Sequence, residues 1–338
     1  MLKRTFLFYF LLLCSGLVNA QDLHFSQFFN SPLNLNPALA GVFNGDYRIV
    51  ANHKNQWRTV PVAYRTYSIA ADGRLPIKLK KDIISCGLLL NNDKAGDGAF
   101  YTNQLGLSLS YLKRLNQDST SFLSIGIQPS FVSKGFNLSK LSYDNQFSDG
   151  TYDAAIAASE TYNSTKIQYL DWSTGLNFLQ KIGSHSSVNI GLSYHHLQKQ
   201  NISFMSDNKV VSNPKYLIHS SIVLGINNGF ELIPVGLYQL QNKNKEIVAG
   251  LLFRMIFENK ADNLRAFTLG GMLRYQDAFI VDAQLDYNRF RFGISYDITT
   301  SDFRKANSGL GGFELSLIYI MKRFVRVQSN KIVCPVFL

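Results

Sequence analysis

The feature that most constrains this chain is a strict period of two, sustained over runs longer than a soluble sandwich strand needs. One phase holds Leu105, Leu107, Leu109 and Tyr111, then Leu123, Ile125, Ile127, Pro129 and Phe131. It continues through Leu170–Phe178, Val188–Tyr194, Tyr216–Ile226, Phe230–Leu240, Ile247–Phe257, Phe267–Tyr275, Phe279–Tyr287, Phe290–Ile298 and Phe313–Met321. None of these eleven sets carries Asp, Glu, Lys or Arg. The other phase is small or polar where it reads most clearly, as in Ser124, Gly126, Gln128, Ser130 and in Asp282, Gln284, Asp286. Successive side chains of a strand point to opposite faces, so each run has one apolar and one polar face. Strands of globular sandwiches average about 5–6 residues, whereas a tilted membrane-crossing strand needs about 9–11. Tyr111, Phe131, Tyr194, Tyr216, Tyr275 and Tyr287 sit near run ends, as interfacial aromatic girdles do.

Apolar faces that meet lipid require a closed sheet, because unpaired edge groups in hydrocarbon cost several kcal/mol each. The expected fold is therefore all-β, a transmembrane antiparallel barrel. Weaker alternation at Tyr47–Lys54, Ala63–Ala71 and Ile83–Asn91 brings the strand count to fourteen. With the N-terminus starting inside, odd-to-even connections face outside and should be the longer ones. Ser133–Thr165, Gln200–Asn213 and Thr299–Leu310 obey that rule, and Asn227-Asn228-Gly229 reads as a tight turn on the inner side. Gln276-Asp277-Ala278 is short yet falls on the outer side.

The first twenty residues read as a secretory signal: Lys3 and Arg4, an apolar stretch from Thr5 to Leu13, then Val18-Asn19-Ala20 before the cut. Its removal takes the net charge from +11 to +9. The expected segmentation is 1–20 signal, 21–45 plug-like N-terminal segment, 46–325 barrel and 326–338 C-terminal periplasmic tail. Elsewhere no apolar run approaches the ~20 residues of a membrane helix. Cys86 and Cys334 are either buried thiols or, in an oxidising compartment, a pair. No cofactor, metal site or catalytic constellation is expected: adjacent His195 and His196 should point to opposite strand faces, and no spacing singles out a nucleophile triad. Asp171, Glu231, Arg254, Arg274, Asp282, Asp286, Arg291 and Glu314 fall on the inward phase and suit ion-pair networks bracing a narrow barrel more than an open channel. The positive balance suits anionic outer-membrane lipid, and the lack of a basic cluster argues against nucleic acid.

Two segments lie outside the alternation. Ser133–Thr165 is long and carries Phe136, Leu138, Leu141, Tyr143, Phe147 and Tyr152, which makes it the candidate partner-binding loop, with a lid over the barrel mouth as the other reading. Its Asp153–Glu160 stretch is Ala-rich and reads as a short helix capped by Asp153. Gln21–Gly45 has Pro32 and Pro37 breaking periodicity while Phe25, Phe28, Phe29, Leu33 and Leu35 need burial, so it should tuck into or under the barrel at its periplasmic end.

HFSQFFNSPLNLNPALAG (24–41), NQWR (55–58), YQDAF (275–279), GISYDITTSD (293–302), GGFEL (311–315) and CPVF (334–337) resemble the PorP/SprF family of type IX secretion membrane proteins. The resemblance implies an outer-membrane barrel of fourteen strands in a Gram-negative bacterium, similar in architecture to long-chain fatty-acid transporters. It implies a non-enzymatic role in type IX secretion and gliding: export and surface attachment of a secreted adhesin through its C-terminal domain, alongside other components of the system. A channel for hydrophobic small molecules is the alternative. Asn36, Pro37, Gly41, Asn55, Gln56 and Trp57 match the N-terminal motif and are expected to shape the plug and first strand.

Overall fold

The computed structural model describes residues 22–56, 64–77, 82–96, 98–148, 151–153, 155–183, 185–205, 210–260, 263–302, 304–307 and 309–322. The expected signal segment, Trp57, Cys334 and the C-terminal tail lie outside these residues.

Fourteen strands form one closed antiparallel barrel. In chain order they are β1 (Tyr47–Gln56), β2 (Tyr64–Arg74), β3 (Ile83–Ala95), β4 (Phe100–Arg114), β5 (Ser121–Gly135), β6 (Lys166–Ile182) and β7 (Ser186–His195). There follow β8 (Lys215–Asn227), β9 (Phe230–Gln241), β10 (Asn244–Lys260), β11 (Asn263–Arg274), β12 (Ala278–Tyr287), β13 (Phe290–Thr299) and β14 (Leu310–Met321). Each strand pairs with its sequence neighbours, and β1 closes on β14 with Tyr47 opposite Met321 and Gln56 opposite Gly312. All fourteen strands read from the alternation are present. Leu105, Ile125, Leu170, Leu192, Leu269 and Ile294 are among the many large apolar side chains left exposed on the outer surface. A surface this apolar is unfavourable in water and is what a lipid-facing wall requires.

Two outward prolines interrupt the ladder because proline has no N–H to donate. Pairing of β4 with β5 skips residues 107 and 108 opposite Pro129, and pairing of β8 with β9 skips 222 and 223 opposite Pro234. The barrel has a long-loop end, carrying residues 136–165, 196–214 and 300–309, and a short-turn end where Asn228 and Gly229 link β8 to β9. On the long-loop end, Tyr275–Asp277 is a tight turn as its sequence suggested, and so is Asn242-Lys243.

Three expectations need correction. Residues 133–135 belong to β5, so the longest loop is 136–165. Asp153–Glu160 forms no helix among its described residues: the Asp153 carboxylate accepts the Ala155 N–H at 2.8 Å, closing one turn that nothing extends. The inward phase is also not uniformly small or polar. Ile233, Val235, Leu237, Val248, Leu252, Met272 and Ile280 all face inward and are buried.

Candidate functional site

Residues 22–46 lie within the barrel, hydrogen-bonded to inward side chains on opposite walls. The segment has two short 3-10 turns, Phe28–Asn30 and Pro37–Leu39, around a single helical turn, Pro32–Leu35. Such irregular backbone satisfies few of its own polar groups, so the wall must do so. The Glu314 carboxylate accepts the Ser26 and Gln27 N–H groups at 2.8 and 2.9 Å. Asp72 accepts the Gly41 N–H at 2.7 Å while pairing with the Arg48 guanidinium, which also donates to the Leu39 carbonyl. Ser110 and Ser124 donate to the Ala38 carbonyl, Ser193 to that of Leu35, and Asn52 to that of Asn30.

Asn36 and Gly41, two of the sequence-selected residues, sit at joints of this segment. Asn36 is fully buried; its Oδ1 accepts the Ala38 N–H at 2.9 Å, and its Nδ2 donates to the carbonyls of Leu176 and Leu192. It thus caps the 3-10 turn that Pro37 opens and ties that turn to β6 and β7. Gly41 adopts φ +77°, a conformation that disfavours a side chain, and a Cβ there would collide with Ser85. Asn55 and Gln56 instead lie at the far end of β1, paired with Phe313 and Gly312 of β14.

The segment runs the length of the lumen. At the long-loop end the Asp22 carboxylate meets His196, Lys215 and Gln241. At the short-turn end the Asp46 N–H donates to the Met321 carbonyl, and Arg74 donates to that of Phe43. His196 follows the last residue of β7 with φ +59°, so its ring turns back to face both Asp22 and Asp171. The expectation that His195 and His196 point to opposite faces fails for that reason: His195 also faces inward, against Ser173 and Ser193. Burial by itself would raise Asp22, but the His196 and Lys215 charges hold it well below the usual carboxylate range. Burial would likewise lower His196, and the two carboxylates override it and raise it to about 9. His24 goes the other way, lowered to about 4 by the Lys54 charge and by burial.

The inward charges form networks. Arg254 bridges Glu231 and Asp286, Asp286 also holds Arg291, and Arg274 reaches Glu246, Asp277 and Asp297. Against β8–β12 the segment turns apolar, with Phe28, Leu35, Leu39 and Val42 packing in one cluster with Leu217, Val235, Leu252 and Ile280. Among the described residues no group of three or more His, Cys, Asp or Glu side chains is arranged to hold a metal ion.

The six loop residues divide. Phe136 is buried, its ring 5.1 Å from Phe100, 5.0 Å from Tyr162 and 5.0 Å from Phe204. Leu141 is half-buried beside Gly98, and the Tyr143 and Tyr162 hydroxyls lie 3.4 Å apart. These three organise the loop from within. Leu138, Phe147 and Tyr152 are exposed, with Phe147 and Tyr152 paired across a hairpin of two-residue strands. Sequence reasoning missed Phe204, which joins the 196–214 loop to this cluster and whose carbonyl accepts the Asn163 N–H. Its signal was the one Phe of a loop that also carries Leu197, Ile202, Met205, Val210 and Val211.

A closed fourteen-strand barrel with an apolar outer band and inward charge networks defines a β-barrel membrane protein of the bacterial outer-membrane type. The model of the type IX secretion system membrane protein PorP/SprF matches residues 17–319, and the chain belongs to that family. Among curated proteins nothing matches the chain. Among solved structures, it is similar to the CymD monoaromatic hydrocarbon channel at 8% identity and TM-score 0.48, covering 88% of this chain and 94% of that one. BamA from Haemophilus ducreyi lacking POTRA domains 1–3 is 8% identical with TM-score 0.43, over 82% of this chain and 70% of that one. CdiB from Acinetobacter baumannii is 8% identical with TM-score 0.44 over 81% of this chain, which spans only 60% of CdiB. The protein is an outer-membrane component of type IX secretion.

Proposed function

We propose that this barrel aids export and surface attachment of one secreted adhesin, whose C-terminal domain docks on the long-loop end, within the type IX secretion and gliding apparatus. Residues 1–20 serve as the export signal, and residues 22–46 as a plug that makes the barrel an anchor instead of an open pore. The observation that carries this reading is the loop face: an aromatic core of Phe100, Phe136, Tyr162 and Phe204 braces a surface on which Leu138, Phe147 and Tyr152 stay exposed. Aromatic side chains on a rigid support suit protein docking, because little entropy is lost when they are covered. Long loops of outer-membrane barrels face the exterior, where such a partner arrives.

The test is affinity purification of the tagged protein from mildly solubilised outer membranes, with identification of co-purifying proteins. One large secreted protein should be enriched, and lost in a Leu138→Ser/Phe147→Ser/Tyr152→Ser variant whose barrel still migrates as folded. Equal recovery with the variant would sink the docking site.

One observation favours a second reading, a channel for hydrophobic small molecules: the apolar inward wall of β8–β12. It requires the N-terminal segment to leave that wall. Cross-linking Phe28 to the wall through paired cysteines should then abolish uptake of a hydrophobic tracer, and should leave adhesin attachment intact under the docking reading.

A further inference from the structure

The outward face of β2–β6 near the long-loop end is layered. Strand pairing aligns three rows. The outermost is Arg65, Lys94, Tyr101, Gly135 and Lys166. Two residues toward the membrane centre lies Tyr67, Asn92, Asn103, Ser133 and Gln168. Two further in, the row is Ile69, Leu90, Leu105, Phe131 and Leu170, every member exposed. A groove of about 330 Å³ opens where the middle and inner rows meet, lined by Tyr67, Ile69, Leu90, Asn92, Leu105 and Phe131 among others.

The middle row is polar directly beside the apolar inner row. Asn92 donates to Asn103 across the strands, which leaves the rest of both amides directed outward. An amide facing lipid without a partner costs free energy unless something polar meets it. The outer row holds three cations with no ion pair among the described residues. The neighbouring acid, Asp93, turns inward and accepts the Thr66 hydroxyl. On the opposite side of the barrel, Ile247, Tyr275, Phe279 and Ile298 occupy outward positions near the same end.

We infer that this face is a binding site for one phosphorylated lipid of the outer leaflet: an acyl chain lies in the groove, its amide or ester linkage meets Asn92 and Asn103, and its headgroup phosphate meets Arg65, Lys94 and Lys166. The order of rows is the order of the ligand's chemistry from phosphate to linkage to chain. Arginine suits phosphate because its planar fork donates two parallel hydrogen bonds. The apolar row supplies the contact area that holds the chain. The inference rests on the membrane placement and the outward long-loop end, not on what the loops dock.

The experiment uses full-length protein in nanodiscs and native mass spectrometry of retained lipid, with two probes: a phosphorylated lipid A and its enzymatically dephosphorylated form. The wild type should retain the phosphorylated form preferentially. Arg65→Ala/Lys94→Ala/Lys166→Ala should weaken that retention by about a hundredfold, the scale of three basic side chains at a bilayer surface. Asn92→Leu/Asn103→Leu tests the linkage row separately and should weaken retention of both forms. Heat-modifiable gel mobility reports that each variant is folded. Equal retention of the two probes by the wild type, unchanged retention by the triple variant, or a second copy of the chain covering this face would overturn the assignment.

Discussion

The two walls of the lumen hold the same segment with different balances of polar and apolar contact. On β1–β3 and β14 the wall offers Asp72, Arg48, Asn52, Glu314 and Ser316 for hydrogen bonds to backbone and to short polar side chains, beside a smaller apolar cluster in which Leu33, Ala40 and Phe43 meet Val50, Ala70, Leu89, Ile318 and Ile320. On β8–β12 it offers Leu217, Val235, Leu252, Met272 and Ile280 to Phe28, Leu35 and Leu39. The polar wall specifies position, because each bond has a fixed partner and direction, and a buried group left unmatched is costly. The apolar wall supplies attraction with little directional demand. An irregular segment inside a barrel needs both: backbone groups satisfied and apolar side chains covered.

The largest test of that division is Asp72→Ala. It strands the buried Arg48 charge and the Gly41 N–H together, and should cost about 3–5 kcal/mol in chemical unfolding from detergent micelles. Ile280→Ala, fully buried on the apolar wall, should cost about 3 kcal/mol by the same measurement while keeping the segment in register. If the apolar deletion proved costlier than the polar one, the division of labour would be reversed. Gly126→Ala addresses fit: a Cβ there would lie 2.4 Å from Ala38 N and from Pro37 C. The expected loss is about 2 kcal/mol, with faster chymotrypsin cleavage at Phe28 and Phe29 as the segment is displaced.

A pH-dependent test concerns the Asp22–His196 contact. His196 is raised to about 9, so its contribution is complete below its ordinary value of 6.5 and is lost as pH climbs from there through about 9. Asp22 is lowered, so its contribution is complete above 3.8 and is lost only as pH falls through its depressed value. Stability measured from pH 6.5 to 10 should therefore decline in the wild type, and less in His196→Gln, which keeps a donor but cannot titrate. An identical slope in both proteins would remove His196 from the account.

The barrel was legible because strand alternation is local: Leu105, Leu107 and Leu109 announce their face without knowledge of any other strand. The apolar inward wall was not legible for the same reason. In Leu232-Ile233-Pro234-Val235 both phases are apolar, so period two has no contrast to display. The N-terminal segment was legible as something needing burial, since Phe25, Phe28 and Leu33 follow no strand pattern. Its partners were not, because Ser26 meets Glu314 across 288 residues and Asn36 meets Leu192 across 156, and no spacing encodes such contacts. Of the loop residues, composition found Phe136 and Phe147 alike; only folding separates the one that braces from the one that faces out.

Chain order gives the filled lumen one more consequence. The segment precedes β1, and β1 is also the strand that must meet β14 to close the sheet. With that seam zipped, residues 22–46 have no lateral way in and can reach their partners only end-on, through the mouth at which β1 begins. A sheet that curls around its own leading residues before β1 meets β14 avoids that passage.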